Sequence, residues 1–171
     1  MDTISASSDL SLRDASAADA PALASIYNHY VLTTAISFEE DPVAAAAMAG
    51  RITELQAAGL PWLVAERGGV IIGYAYASKW RVRPAYRFAV ETSVYVATAA
   101  VGGGAGKALY SALLTRLRER GFHLAIAGIA LPNDASIALH ERFNFEKTAH
   151  FKEVGFKFGQ WRDVGYWQLL L

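Results

Sequence analysis

A chain of 171 residues with 16 basic and 16 acidic side chains has no net charge, so neither the cationic footprint of a nucleic-acid binder nor an acidic tail is suggested. It contains no cysteine, so disulfides, thiolate metal sites and a cysteinyl acyl-enzyme are excluded, and its four histidines show no His-Glu-x-x-His spacing that would suggest a metal. No apolar run approaches the roughly 18 residues of a membrane-spanning helix, and the length suits one domain that buries roughly 70% of its unfolded surface. The expected setting is the cytoplasm, and the expected partners are a small molecule and a second copy of the chain, with neither nucleic acid nor membrane.

Residues 1–9 read as a polar leader and 10–171 as one domain. Leu10 to Arg13 is a short strand. Ser16, with Asp19 three residues on, caps a helix whose Leu23, Ile26, Tyr27, Tyr30 and Val31 share one face. Asp41-Pro42 reads as N-cap and N1 of a second helix running through the alanines to Leu55. Trp62 to Glu66 and Val70 to Ser78 form a hairpin about Arg67-Gly68-Gly69, and Phe88 to Ala97 is a third long strand. Leu109, Ala112, Leu113, Arg116, Leu117 and Arg120 follow helical spacing up to Gly121, a C-terminal cap. His123 to Ala130 is a buried strand, Asn133 to Phe143 a fourth helix, and Glu146 to Val154 and Arg162 to Leu170 the last two strands. The order βααβββαβαββ predicts an α/β fold with one mixed sheet covered by helices on both faces, a three-layer arrangement.

The most informative stretch is Glu91 to Leu117: an alternating strand, then Val101-Gly102-Gly103-Gly104-Ala105-Gly106-Lys107, then an amphipathic helix. Glycines at a loop-to-helix junction let backbone N–H groups converge on a phosphate, and the helix N-terminus adds roughly half a positive charge. A dinucleotide fingerprint starting at Gly102 would need glycine where Lys107 stands; a P-loop ending in Gly106-Lys107 would need glycine at Val101 and a hydroxyl at Ala108. Neither is present. Glu91 lies mid-strand among apolar neighbours, either facing outward, ion-paired, or buried with a raised pKa that suits a general base.

The element order resembles the GNAT fold of N-acetyltransferases, in which a short glycine loop opens the helix after the central strand. Three stretches resemble its phosphinothricin and methionine-sulfone acetyltransferase branch: Arg83 to Arg87 leading into Val90 to Val96; Leu131-Pro132-Asn133 with Leu139-His140-Glu141; and Val154 to Gln168. With Ile26-Tyr27-Asn28-His29 they span nearly the whole chain. Two departures stand out: Val101 occupies a position usually Gln or Arg, and Asn144-Phe145 replaces the usual Gly-Phe.

The resemblance implies an acetyl-CoA-dependent N-acetyltransferase, active as a homodimer and needing no metal, that acetylates the amino group of a small anionic amino-acid analogue such as phosphinothricin, methionine sulfoximine or methionine sulfone. It implies that Glu91 is the base and that His140 is a proton donor to the leaving thiolate. The backbone of Val94, Tyr95 and Val96 would meet the pantetheine arm and the acetyl carbonyl. Gly102, Gly103, Gly104, Ala105, Gly106 and Lys107 would hold the pyrophosphate, and Asn133 and Ser136 the coenzyme arm. Arg81 and Arg83 would bind the anionic end of the acceptor between walls formed by Phe38 and Tyr86. Read without the resemblance, Arg81 and Arg83 are solvated turn charges, His140 is a satisfied helix residue, and Asn133 or Ser136 is a helix cap. Another amine acceptor, or a non-catalytic acyl-CoA sensor, is the alternative reading.

Overall fold

The computed structural model describes residues 10–171; the leader expected over residues 1–9 lies outside the described residues. The elements are β1 (Leu10–Asp14), α1 (Ala20–Thr33), α2 (Ala45–Ala57), β2 (Trp62–Arg67), β3 (Val70–Lys79), β4 (Ala89–Val96), α3 (Ala105–Glu119), β5 (Leu124–Ala130), α4 (Asp134–Arg142), β6 (Glu146–Lys157) and β7 (Gln160–Leu170). They follow the expected order. The strands form one sheet, β1-β2-β3-β4-β5-β7-β6. Among the described residues β4 and β5 are the parallel pair; all other neighbours are antiparallel.

Each sheet face carries its own core. On one, Leu23, Ile26 and Val31 of α1 and Met48 and Ile52 of α2 cover Trp62, Val64 and Tyr74. On the other, Leu109, Leu113 and Leu117, one helical turn apart along α3, cover Leu63, Ala65, Ala75, Ala77, Val90, Ala125 and Ala127. Strand β2 therefore reads as continuously apolar because both its faces are buried. The small alanines let α3 sit close, and Gly73 marks the tightest approach: a Cβ there would lie 2.9 Å from the Tyr95 carbonyl oxygen and 3.3 Å from Leu109.

Local signals set most of the element ends. Asn133 Oδ1 accepts the Ser136 N–H at 3.1 Å and caps α4. Gly121, at φ 76°, follows α3 as its left-handed C-terminal residue. Helix α2 differs from expectation, starting at Ala45 rather than at Pro42. The Asn28 side chain accepts the Val43 N–H at 2.7 Å and donates to the Val43 carbonyl at 2.9 Å. Those bonds from α1 engage both backbone groups of Val43 outside the helix, so α2 cannot begin until they are passed. Strands β6 and β7 run farther than expected, meeting in a tight turn at Phe158 (φ 53°) and Gly159 (φ 70°).

Candidate active site

Strand β4 pairs with β3 along its length, from Val90↔Lys79 to Val96↔Gly73. Against β5 it pairs only at Ala89, Val90 and Glu91. Strand β5 continues against β7 as far as Ala130↔Val164. The sheet is therefore split along the β4–β5 seam from Thr92 onward. In a strand, the N–H and C=O of one residue face the same edge, and the edge alternates. Leu124 N–H donates to the Phe88 carbonyl and Ala97 N–H to the Ile72 carbonyl, which sets the phase. The backbone groups of Val94 and Val96 hence face the open seam, while those of Ser93 and Tyr95 belong to the β3 ladder. The Val96 carbonyl accepts a short hydrogen bond from the Tyr30 hydroxyl. At the apex, Tyr110 donates to Thr92 Oγ1 at 2.5 Å and Thr92 donates to the Ile126 carbonyl at 3.2 Å, so the opening begins at a tied point.

Glu91 sits one residue before the split, half-buried on the α1/α2 face with Ser93 and Tyr95. It opens onto a cleft of about 320 Å³ with Phe38, Val154 and Tyr166 among its walls. Burial raises its pKa, and the charge of Arg81 partly opposes that rise. Phe38 is held in place from several sides. Its ring lies flush on Gly155, where any side chain would collide with it. The segment before it is fixed by Tyr27 to Ser37 Oγ at 2.7 Å and by buried Lys157, whose Nζ donates to the Val31 and Ser37 carbonyls at 2.6 Å each. Arg81 stacks over Trp80 at 4.4 Å and lines the adjoining cleft with Tyr166. Arg83 and Tyr86 line a third cleft with Lys79 and Arg87 beneath the end of α2, which Arg81 also borders. They are not brought to Glu91 within this chain.

A narrow passage of about 60 Å³ runs through the seam between Val94 and Ala130, with Ser93 and Tyr95 toward its α1/α2 side and Asn133, Ser136 and His140 along its other side. His140 is 4% exposed and packs edge-on to Tyr110 and Phe145. Its Nδ1 is 2.7 Å from the Ser136 carbonyl, an acceptor only, so Nδ1 carries the proton and Nε2 is the bare nitrogen. Burial lowers its pKa. The ring is therefore neutral at neutral pH, and Nε2 can accept a proton but holds none to give. The glycine loop then turns through Gly102 and Gly104, both at φ 83°, into α3. Among the described residues no side chain caps that helix, and no acidic residue stands in its first turn, so the N–H groups at its start stay open to an anion beside exposed Lys107.

Three residues beyond the expected set shape the site. Arg67 Nη2 donates to the Gly103 carbonyl at 3.0 Å and holds the glycine loop; nothing in its hairpin context signals this. Tyr166 stands beside Glu91, hidden in sequence among the apolar residues of β7. Gly128 lies beneath both, and its position inside the strand Leu124–Ala130 is the kind of signal that marks a close approach.

A strand pair that parts beside a half-buried carboxylate, with a free helix N-terminus at its mouth, has clear relatives. A family model described as an acetyltransferase (GNAT) domain matches residues 12–165. The chain is 41% identical over 162 residues to an L-methionine sulfoximine/L-methionine sulfone acetyltransferase of Salmonella typhimurium, covering 95% of each protein. It is 40% identical over 157 residues to a phosphinothricin N-acetyltransferase of Streptomyces viridochromogenes, covering 92% of this chain and 85% of that one. A solved GNAT superfamily phosphinothricin acetyltransferase from Sinorhizobium meliloti, in complex with AcCoA, superposes with a TM-score of 0.92 at 44% identity, over 95% of this chain and 88% of that one. The split seam, the open helix start and these relatives agree, and the chain belongs to the GNAT acetyltransferase family.

Proposed function

We propose that this protein transfers the acetyl group of acetyl-CoA to the amino group of a small anionic amino-acid analogue, of the phosphinothricin, methionine sulfoximine or methionine sulfone kind, by direct attack in a ternary complex. The observation that carries the reading is the coincidence at residues 91–92: the sheet opens one residue past a half-buried carboxylate. A thioester lying in the seam would meet an amine held at Glu91. The relatives' activities support the acceptor class.

Glu91, directly or through water, takes the first proton of the acceptor's ammonium, and the freed amine attacks the thioester carbon. The Val94 and Val96 N–H groups that face the seam stabilise the oxyanion; removal of one such donor typically costs on the order of 3 kcal/mol in a transition state. Tyr95 contributes its ring to the acceptor side rather than its backbone to the coenzyme. As the C–S bond breaks, the second amine proton goes to the departing thiolate. His140 relays it: a bare Nε2 must accept a proton before it can give one. Gly102 to Lys107 hold the pyrophosphate through helix-start N–H groups, with Val101 adding no side-chain contact, and Asn133 and Ser136 line the coenzyme arm.

Arg81 receives the acceptor's anionic end, Phe38 walls the amine side, and Arg83 and Tyr86 form part of a basic rim with Lys79 and Arg87 that steers anions inward. Exposed Phe156, Phe158 and Trp161 on the β6–β7 hairpin support assembly into a homodimer, which light scattering on the purified protein tests. The cytoplasm is the setting in which acetyl-CoA is supplied. Among the described residues no helix is long and apolar enough to cross a membrane.

The decisive test is thiol release from acetyl-CoA against a panel of free amino-acid analogues and polyamines. Turnover that favours the anionic analogues is expected. Coenzyme binding without turnover on any amine would favour the acyl-CoA sensor, and a preference for polyamines would overturn the role given to Arg81.

A further inference from the structure

Two clefts of nearly equal size adjoin on the acceptor side. One, about 320 Å³, holds Glu91. The other, about 310 Å³, holds Arg81 with Trp80, Thr148 and Phe151. Among the described residues Tyr166 is the one that lines both. It projects from β7 at the position paired with Gly128 of β5. A Cβ on Gly128 would lie 3.1 Å from Tyr166 Cε1 and 3.2 Å from Glu91 Oε1, so the ring edge and the carboxylate share the space that the missing side chain leaves.

The ring is held in that place from the far side. Trp80 and Phe151 pack edge-on against it, each with centroids 5.6 Å away and interplanar angles of 73° and 82°. Aromatic pairs in this geometry are favourable and resist rotation of the ring out of register. The phenol, by contrast, has no hydrogen-bond partner among the described residues, and lies in the fields of both Glu91 and Arg81. A half-buried hydroxyl left without a partner, between a proton acceptor and a cation, is suited to a ligand that presents an anion or a strongly polarised oxygen there.

We propose that Tyr166 is the specificity-determining partition of the acceptor site: its ring limits the girth of the side chain that can run from Glu91 to Arg81, and its hydroxyl donates to the acceptor's anionic or sulfonyl head. This rests on the acetyl-transfer reading above and extends it to a residue which that reading does not use. An acceptor spanning both chambers needs an amine at one end, an oxygen-rich tetrahedral head at the other, and a slim unbranched link past the ring edge. Branched or aromatic amino acids meet the ring and are excluded. Discrimination of this kind is a difference between acceptors and leaves the coenzyme untouched.

The test measures steady-state thiol release by wild type, Tyr166→Phe and Tyr166→Ala with phosphinothricin, methionine sulfone, leucine and phenylalanine as acceptors, together with the KM for acetyl-CoA and thermal melting. Tyr166→Phe keeps the wall and loses the donor, so KM for the two oxygen-rich acceptors should rise about tenfold with little change in kcat. Tyr166→Ala joins the chambers, and leucine and phenylalanine should gain at least tenfold in kcat/KM relative to methionine sulfone. The KM for acetyl-CoA should stay within twofold in both variants. An unchanged acceptor ranking, or a loss by one common factor for all acceptors, overturns the proposal. If Tyr166→Ala melts early, Tyr166→Phe still decides the role of the hydroxyl. Wild type without turnover on any acceptor overturns the acetyl-transfer reading and this proposal with it; wild-type turnover with unmoved rankings overturns this proposal alone.

Discussion

Asp19, at the corner where β1 meets α1, and Glu91, at the β4–β5 seam, are both carboxylates withdrawn from water, and they are treated in opposite ways. Asp19 accepts from Arg13 Nη1 and Nη2 at 2.8 Å each and from the Ser16 N–H at 2.7 Å. Chiefly through the Arg13 bond, its pKa is held down to about 2. Glu91 has no such partner among the described residues, so burial pushes its pKa up against an opposing pull from Arg81. The corner satisfies its polar groups internally and is finished as it stands. The seam leaves a carboxylate, two strand N–H groups, a phenol and a helix start unpaired, and it is the region to which a ligand must come. Unmet hydrogen-bonding capacity is destabilising in a fold, so where it accumulates it marks function rather than structure.

Glu91→Gln puts this contrast to its most severe test. Loss of the base should lower kcat by about 10²–10⁴-fold, the range typical for a positioned general base, while thermal melting at neutral pH stays equal or rises. Stability is spared because a carboxyl whose folded pKa is raised costs stability once ionised, and the amide removes that cost. The wild-type rate should fall with decreasing pH through a midpoint above 4.5, the ordinary value for glutamate, and a midpoint at or below it would sink the assignment.

Asp19→Asn should do the reverse: lose about 2 kcal/mol in denaturant unfolding, with turnover per folded molecule unchanged. A depressed folded pKa gives stability that is present above the unfolded value of 3.8 and is lost as pH falls from there through about 2. That acid-dependent loss, followed by melting in steps of pH, should be absent in the variant.

Gly128→Ala comes next in size. Its methyl must displace the Tyr166 ring edge or the Glu91 carboxylate, so kcat/KM for the acceptor should fall about tenfold with coenzyme affinity intact. Gly50→Ala is the matched control, with the least change of the four. Gly50 lies exposed in α2, and a methyl placed there would meet nothing within 4 Å, so the substitution should add about 0.5–1 kcal/mol to stability and leave kinetics unchanged. If the two glycine variants behaved alike, the crowding beneath the Glu91 cleft would carry no functional weight.

Much of this was legible in advance. The order of strands and helices followed from periodicity and from glycines at the ends of elements, and Asn133 could be read as a cap because such a side chain before a helix has a local partner to find. The start of α2 was not legible, since Asn28 reaches Val43 across 15 positions to engage its backbone. Arg83 and Tyr86 sit only two and five residues from Arg81 and share one cleft with it, yet of the three Arg81 alone also lines the cleft that adjoins Glu91 through Tyr166. His140 could be placed at the site by resemblance, but its tautomer depended on where the Ser136 carbonyl points.

The element order, the glycine turn into α3 and a carboxylate on the strand before that turn all follow from the linear chain, because each depends on groups within one or two helical turns of one another. It took the folded sheet to part β4 from β5 after Glu91, to aim Val94 and Val96 rather than Tyr95 at the gap, and to stand Tyr166 between Glu91 and Arg81. Those outcomes join residues 25 to 85 positions apart in the chain. Hydrogen-bond phase between strands, and the absence of a side chain at Gly128, act across such distances without leaving a local pattern to read.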